Sequence, residues 1–207
     1  MLSYRDRVIS IDIVRYHSNR NLTYRTFDKQ TWADYAEEAL GDDAQRFAVP
    51  VDSISAPELR AYHELLGVGV YPEYGWMCEY STVGMPPEQR RAAVTLVDYL
   101  SSDLLRRVLV DGPNLEGRIY AVDALLYIDQ VAQREVSALP YRSPFYESRL
   151  LTAQDRAAIE DIIQSGQTVR TCGNAGSYKI YPKTTQEVLS DSALAEIPSL
   201  YEDGWLQ

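Results

Sequence analysis

Between Pro86 and Gln130 apolar residues recur almost without interruption at helical spacing, and this stretch limits the fold more than any other part of the chain. Two prolines open it, as the first turn of a helix tolerates, and Ala93, Leu96, Val97 and Leu100 then trace the i, i+3, i+4, i+7 stripe of a buried helix face. Ser101 and Ser102 can cap a second helix with Leu104, Leu105, Val108 and Leu109 on its apolar face. After a turn at Asp111 to Asn114, a third helix from about Leu115 carries Ala121, Ala124, Leu125 and Ile128, with Ile119, Val122 and Leu126 widening the stripe. Three amphipathic helices joined by tight turns can hide those faces only by stacking on one another.

The flanking segments read less evenly. Ile9, Ile11 and Ile13 alternate with Ser10 and Asp12, and Leu22, Tyr24 and Thr26 repeat the alternation, which gives a short hairpin or an extended segment over residues 1–30. From Thr31, Trp32, Tyr35, Ala36 and Ala39 predict a helix stopped by Gly41, with Glu37, Glu38, Asp42 and Asp43 clustered at an end where the dipole disfavours negative charge. Ser55 and Glu58 have capping-box spacing ahead of Leu59, Tyr62, Leu65 and Leu66. Gly67 to Gly84 is rich in loop residues, and Gln133 to Arg149, with Pro140 and Pro144, reads as an extended connection. Thr152 and Asp155 start a further helix through Ile159 and Ile162 to Gly166. Val169 and Thr171, then Tyr178 and Ile180, flank a turn from Cys172 to Ser177 and suggest a small hairpin, followed by a short helix near Thr185 to Leu189 and a tail holding Trp205.

The segment from Leu104 to Ile128 resembles a HEAT repeat of the short kind also seen in phycobilisome-lyase-type repeat proteins. Leu104, Leu105 and Leu109 stand where that pattern ends its first helix, Asp111 and Pro113 occupy the turn, and Arg118, Ala121, Ala124 and Leu125 follow in the second helix. Gly112 separates Asp111 from Pro113 and puts Arg118 one residue late. Pro87, Arg90, Ala93 and Leu96 echo the second-helix half upstream, and Arg156 with Ile159 and Ile162 is a degenerate third copy. The pairing of this repeat with a Cys172-Gly173 segment is similar to uncharacterised bacterial proteins with HEAT-like repeats. The resemblance implies packing rather than chemistry: alanines let helices approach, leucines fill the groove, and the arginine pairs with an aspartate of a neighbouring turn. The expected fold is mainly α, with stacked antiparallel helical hairpins in an α-α superhelix and small β-hairpin additions near the termini. It is expected to form a single domain over 1–207, with a helical core at 31–132, a HEAT-like unit at 86–131, and a helix, hairpin and tail at 150–207.

Composition narrows the function classes. Thirty acidic against twenty basic residues give a formal charge of −10, which repels polyphosphates and makes nucleic acid an unfavourable partner. No apolar run approaches the roughly 18 residues of a membrane span. Arg5, Asp6, Arg7 and Asp12 break up the apolar residues of the amino terminus, so the chain reads as cytoplasmic provided that no leader has been removed. Two cysteines, Cys78 and Cys172, are too few for a disulfide framework and lack zinc spacing, leaving one bridge or two thiols.

Candidates for chemistry are sparse. His63 begins His-Glu-Leu-Leu-Gly and lacks the second histidine that a zinc helix requires, so no metal or other cofactor is expected. Cys172, in a turn beside Gly173 and Asn174, would need His17 or His63 folded against it to act as the nucleophile of a hydrolase. Gly67-Val-Gly69 follows a helix and does not form a phosphate cradle. Arg90, Arg91, Arg106 and Arg107 lie close to Glu88, Asp98, Asp103 and Asp111, so internal ion pairs account for them. Tyr71, Tyr74, Trp76 and Tyr80 crowd a loop, where such side chains serve either as contact residues for a partner or as a cover for the helical core. The expected function is a non-enzymatic helical-repeat module that binds another protein, a basic one among the candidates, through those four aromatics, although the acidic excess by itself reads more simply as a solvated surface. An acidic immunity or antitoxin-like inhibitor and a hydrolase using Cys172 are the alternatives.

Overall fold

The computed structural model describes residues 2–17, 20–78, 85–139, 141, 143–172 and 182–202, without the side chains of residue 2 and of 10–26. The protein is mainly helical with small antiparallel β additions. Its contacts divide the chain into two compact units, Met1–Arg60 and Ala61–Gln207.

In the first unit β1 (Leu2–Tyr4), β2 (Arg7–His17) and β3 (Arg20–Phe27) form an antiparallel sheet in that order. Arg5 and Asp6 both take positive φ, at 45° and 61°, which makes the tight turn between β1 and β2. Asp28 accepts from the Thr31 amide at 2.8 Å and so starts α1 (Lys29–Leu40). Gly41, with φ of 56°, ends it as expected. Glu38 in the acidic last turn is held by Arg5 at 2.6 Å and by the Tyr4 hydroxyl, which offsets the unfavourable dipole and keeps its carboxyl below the usual range. Ile9, Trp32, Ala36 and Phe47 of α2 (Ala44–Phe47) are fully buried. The capping box of α3 (Ala56–Leu65) is present, Ser55 and Glu58 each accepting from the other's amide at 3.3 Å.

The second unit is built on α4 (Glu88–Asp98), α5 (Ser102–Asp111) and α6 (Leu115–Ala138), which pack pairwise. Leu96, Val97, Leu105, Val108, Leu109 and the run from Ile119 to Leu125 are buried, so all three apolar stripes face one core. Between α4 and α5 the chain reverses through Leu100 at φ of 52°, with the Ser101 amide on the Leu96 carbonyl and the Leu100 amide on that of Val97, both at 2.9 Å. Ser101 therefore stands at the α5 N-cap position without using its hydroxyl as a cap.

Residues 133–138 continue α6 instead of forming the extended connection expected from the two prolines. The segment Gln133 to Ala138 contains good helix formers, and the helix stops only where Pro140 would intrude. Beyond it, α7 (Pro144–Glu147) is followed by α8 (Ala153–Gln164), whose Thr152 and Asp155 form a complete capping box. β4 (Thr168–Val169) pairs with β5 (Lys183–Thr184), so a small hairpin is present with its second strand later than expected; Thr171 bridges to Tyr74 instead, and Tyr178 and Ile180 lie outside the described residues. α9 (Thr185–Val188) and α10 (Asp191–Glu202) complete the unit, and Trp205 lies outside the described residues. Among the described residues no helix is long and apolar enough to cross a membrane.

Candidate functional site

Residues 71–78 run as an irregular extended segment across the second unit. The Tyr74 amide donates to the Arg170 carbonyl at 2.8 Å and the Cys172 amide to the Tyr74 carbonyl at 3.1 Å, a parallel bridge that carries the segment beside the end of β4. Cys78 and Cys172 are joined by a disulfide with Cα atoms 5.4 Å apart. Gly75 passes so close to this bridge that a Cβ there would stand 2.3 Å from the Cys172 sulfur, which is why the segment carries no side chain at that point.

The segment lies over a buried ion pair. Arg90 of α4 and Asp123 of α6 are both wholly inaccessible, with a guanidinium nitrogen 2.7 Å from the carboxylate. Every donor group of Arg90 has a partner, since Nε donates to the Gly75 carbonyl at 3.1 Å and the remaining Nη to the Tyr201 hydroxyl at 3.2 Å. Tyr74 donates to the same carboxylate at 3.0 Å. Four rings surround the cation, with Trp76 at 3.4 Å, Tyr120 at 4.4 Å, Tyr74 at 5.5 Å and Tyr201 at 5.9 Å from ring centroid to the guanidinium carbon. Tyr120 accepts from the Gly75 amide at 2.9 Å and donates to the Glu73 carbonyl at 2.9 Å, so the extended segment is tied to the helices by its backbone. Burial works against the charge on Arg90, but Asp123 and the surrounding tyrosine oxygens raise its pKa, and it stays charged. Burial pushes the Asp123 carboxyl up, opposed by Arg90 and by the Tyr74 hydrogen bond. Burial, reinforced by the Asp123 charge, raises the Tyr74 hydroxyl well above its ordinary value.

Beside this cluster a cavity of about 810 Å³ opens between the extended segment, β5, α9 and α10. Trp76 and Met77 line one side, and Val188, Ile197 and Leu200 the other. Its charged groups are Asp123, Lys183, Glu187 and Glu196.

The four aromatics expected to contact a partner are thus divided. Tyr71 is 57% exposed, with the Arg170 guanidinium 4.8 Å above its ring, whereas Tyr74 is only 7% exposed and belongs to the Arg90 cluster. Trp76 is half-buried between Arg90 and Tyr201, and Tyr80 lies outside the described residues. A continuous aromatic contact surface made with Tyr74 is therefore corrected: the lone pairs of Asp123 and the charge of Arg90 draw Tyr74 inward. The hydrolase alternative is corrected as well, since Cys172 is bonded to Cys78 and offers no thiolate. His63 is buried at 5% exposure, and desolvation lowers its pKa to about 4, while the His17 side chain lies outside the described residues. The expected short-range ion pairs on the repeat are present for Arg91 with Glu88 at 3.7 Å and Arg106 with Asp103 at 3.1 Å. Arg118, which the HEAT-like pattern pairs with an aspartate, donates from Nε to the Leu109 carbonyl at 2.9 Å and so closes the end of α5. Among the described residues no group of histidine, cysteine, aspartate and glutamate is arranged to hold a metal.

Sequence reasoning missed Asp123 and Tyr201. Asp123 was legible in principle as a charge inside the apolar run of α6, whereas Tyr201 reaches the cluster from a helix 111 positions beyond Arg90. Comparison with family models, curated proteins and solved structures finds no match for this chain.

Proposed function

We propose that the second unit is a rigid, non-enzymatic module that binds a basic protein partner. The observation that carries this reading is the distribution of charge. Of the formal −10 on the chain, −8 belongs to residues 61–207, which hold 20 acidic and 12 basic side chains. The buried Arg90–Asp123 pair and the largely buried Arg106–Asp155 pair, at 3.0 Å, cancel internally; Glu116 and Asp129 are buried as well, and most of the remaining surplus lies on the surface. Such a field speeds encounter with a basic partner and disfavours acidic ones. The groups that chemistry would need are meanwhile committed elsewhere: the cysteines to each other, His63 to the interior, and Asp123 to Arg90. The bridge also favours an oxidising compartment over the cytoplasmic residence expected from sequence, because cytosolic thiols are kept reduced. A HEAT-like ancestry for α4 to α6 fits the same reading, since stacked helices offer a stable scaffold for contact.

The test is affinity capture with the intact, oxidised protein, followed by association kinetics with each purified partner. A basic partner whose association rate falls roughly tenfold or more between about 50 and about 300 mM salt supports the reading. Partners that are neutral or acidic, or a rate indifferent to salt, overturn it. If the captured partner is an enzyme or toxin whose activity the protein abolishes, the acidic-inhibitor form of the reading is selected.

A further inference from the structure

We infer that the cavity beside the Arg90 cluster receives a basic side chain on an apolar stem, presented by a partner chain. This inference rests on the reading of a basic partner and locates where one of its lysines or arginines is held.

Three features of the cavity define that chemistry. Its volume, about 810 Å³, lies in the roughly 300–1,000 Å³ range of sites that enclose a ligand. Its walls are apolar where a stem would lie, with Trp76 and Met77 facing Val188, Ile197 and Leu200. Carboxylates dominate its charge. Asp123 is balanced by Arg90, and Glu187 and Glu196 stand against the single Lys183; Glu187 is engaged at the start of α9, where it accepts from the Thr184 amide at 2.6 Å. Glu196 on α10 is exposed and makes no side-chain hydrogen bond or ion pair with another described residue, so with Glu187 engaged at the α9 cap it is the carboxylate open to an incoming cation.

The wall is also braced by packing. Gly75 abuts the disulfide, Trp76 packs on Arg90, and Tyr201, on the helix that carries Glu196, stacks on Tyr127 at 4.8 Å. An alkylammonium entering such a site keeps its charge near Glu196 while its methylenes replace water along the apolar wall, the arrangement by which lysine and arginine bury their stems. An alkyl carboxylate of the same length would meet repulsion at the same point.

Isothermal titration of the oxidised protein with n-hexylammonium, 1-hexanol and hexanoate tests the assignment. Hexylammonium is expected to bind about fivefold or more tightly than the alcohol, the size of a partly exposed ion pair, and hexanoate more weakly than either. Glu196→Gln should remove the preference for ammonium over alcohol without abolishing either. Ala193→Trp and Leu200→Trp, which fill the cavity from α10, should each abolish binding of all three probes, and their unfolding midpoints show whether each is folded. Equal binding of ammonium and carboxylate overturns the assignment, as does unchanged binding in a folded filled variant. Ammonium-selective binding with no basic partner captured leaves the cavity chemistry standing and removes the proposed function. A basic partner whose affinity is untouched by the filled variants leaves the function standing and removes the cavity as its contact.

Discussion

Replacing Arg90 with methionine, which keeps most of the stem and loses the charge, should be among the most damaging single changes in the second unit. Asp123 would remain inaccessible with its cation gone, and breaking a buried pair from one side typically costs about 3–5 kcal/mol. The ring contacts, of which Trp76 at 3.4 Å and Tyr120 at 4.4 Å are nearest, add roughly 1–2 kcal/mol for a desolvated cation. The Gly75 carbonyl would also lose its Arg90 donor, since the Tyr120 hydroxyl 3.1 Å away has one proton to share between it and the nearer Glu73 carbonyl. A loss of about 4 kcal/mol lowers the melting midpoint by roughly 10 °C for a chain of this size. Urea unfolding followed by far-UV circular dichroism should show a fall in Cm at constant m. The decisive comparison is the double variant Arg90→Met with Asp123→Leu. Removing both charges leaves the Tyr74 hydroxyl without its acceptor and the Gly75 carbonyl and Tyr201 hydroxyl without their Arg90 donor, but no buried charge unpaired, so the double variant should cost less than Arg90→Met alone. The reasoning fails if Arg90→Met costs under about 1 kcal/mol, or if the two losses simply add.

Three further outcomes follow from particular contacts. His63 has a pKa near 4 when folded and about 6.5 when unfolded, so the unfolded chain takes up its proton first as pH falls; stability should drop by up to about 3 kcal/mol from pH 6.5 towards 4 and level off below, and His63→Phe should flatten that part of the profile relative to the parent protein. Gly117→Ala would place a Cβ 2.1 Å from the Leu65 carbonyl oxygen, where α6 begins against the end of α3, so a loss of about 1–3 kcal/mol in urea unfolding is expected, and none would show that the helices part freely. Changing both Cys78 and Cys172 to serine opens a loop with a sequence separation of 94 and should cost about 2–5 kcal/mol; peptide mapping that finds both thiols free in protein from an oxidising compartment would refute the bridge itself.

What could be read from sequence was what local rules control. The stripes of α4, α5 and α6, the capping boxes at Ser55 and Thr152 and the stop at Gly41 each depend on residues within one or two turns. The end of α6 was misread because Pro140 drew attention to a break, while the propensity of the residues before it extends the helix to Ala138. α10 was missed because Pro198 lies inside it, a position at which sequence rules end helices. The cluster was illegible for a different reason: its members come from the extended segment, α4, α6 and α10, and nothing in their spacing announces that they meet. The aromatics of residues 71–76 were visible as a group, but whether they face solvent or a buried arginine depends on those distant partners. The cavity shared this fate, since its walls are α9 and α10 set against Trp76.

The bridge from Cys78 to Cys172 makes α4 through α8 part of a closed covalent ring. A protease that clips this ring once, for instance at the exposed Tyr141, cuts the polypeptide without releasing either piece. The nicked protein would migrate as one species until a reductant separates it into two. Its packed helices would still hold the cut ends in register, so a single clip in a protease-rich environment would leave the module assembled.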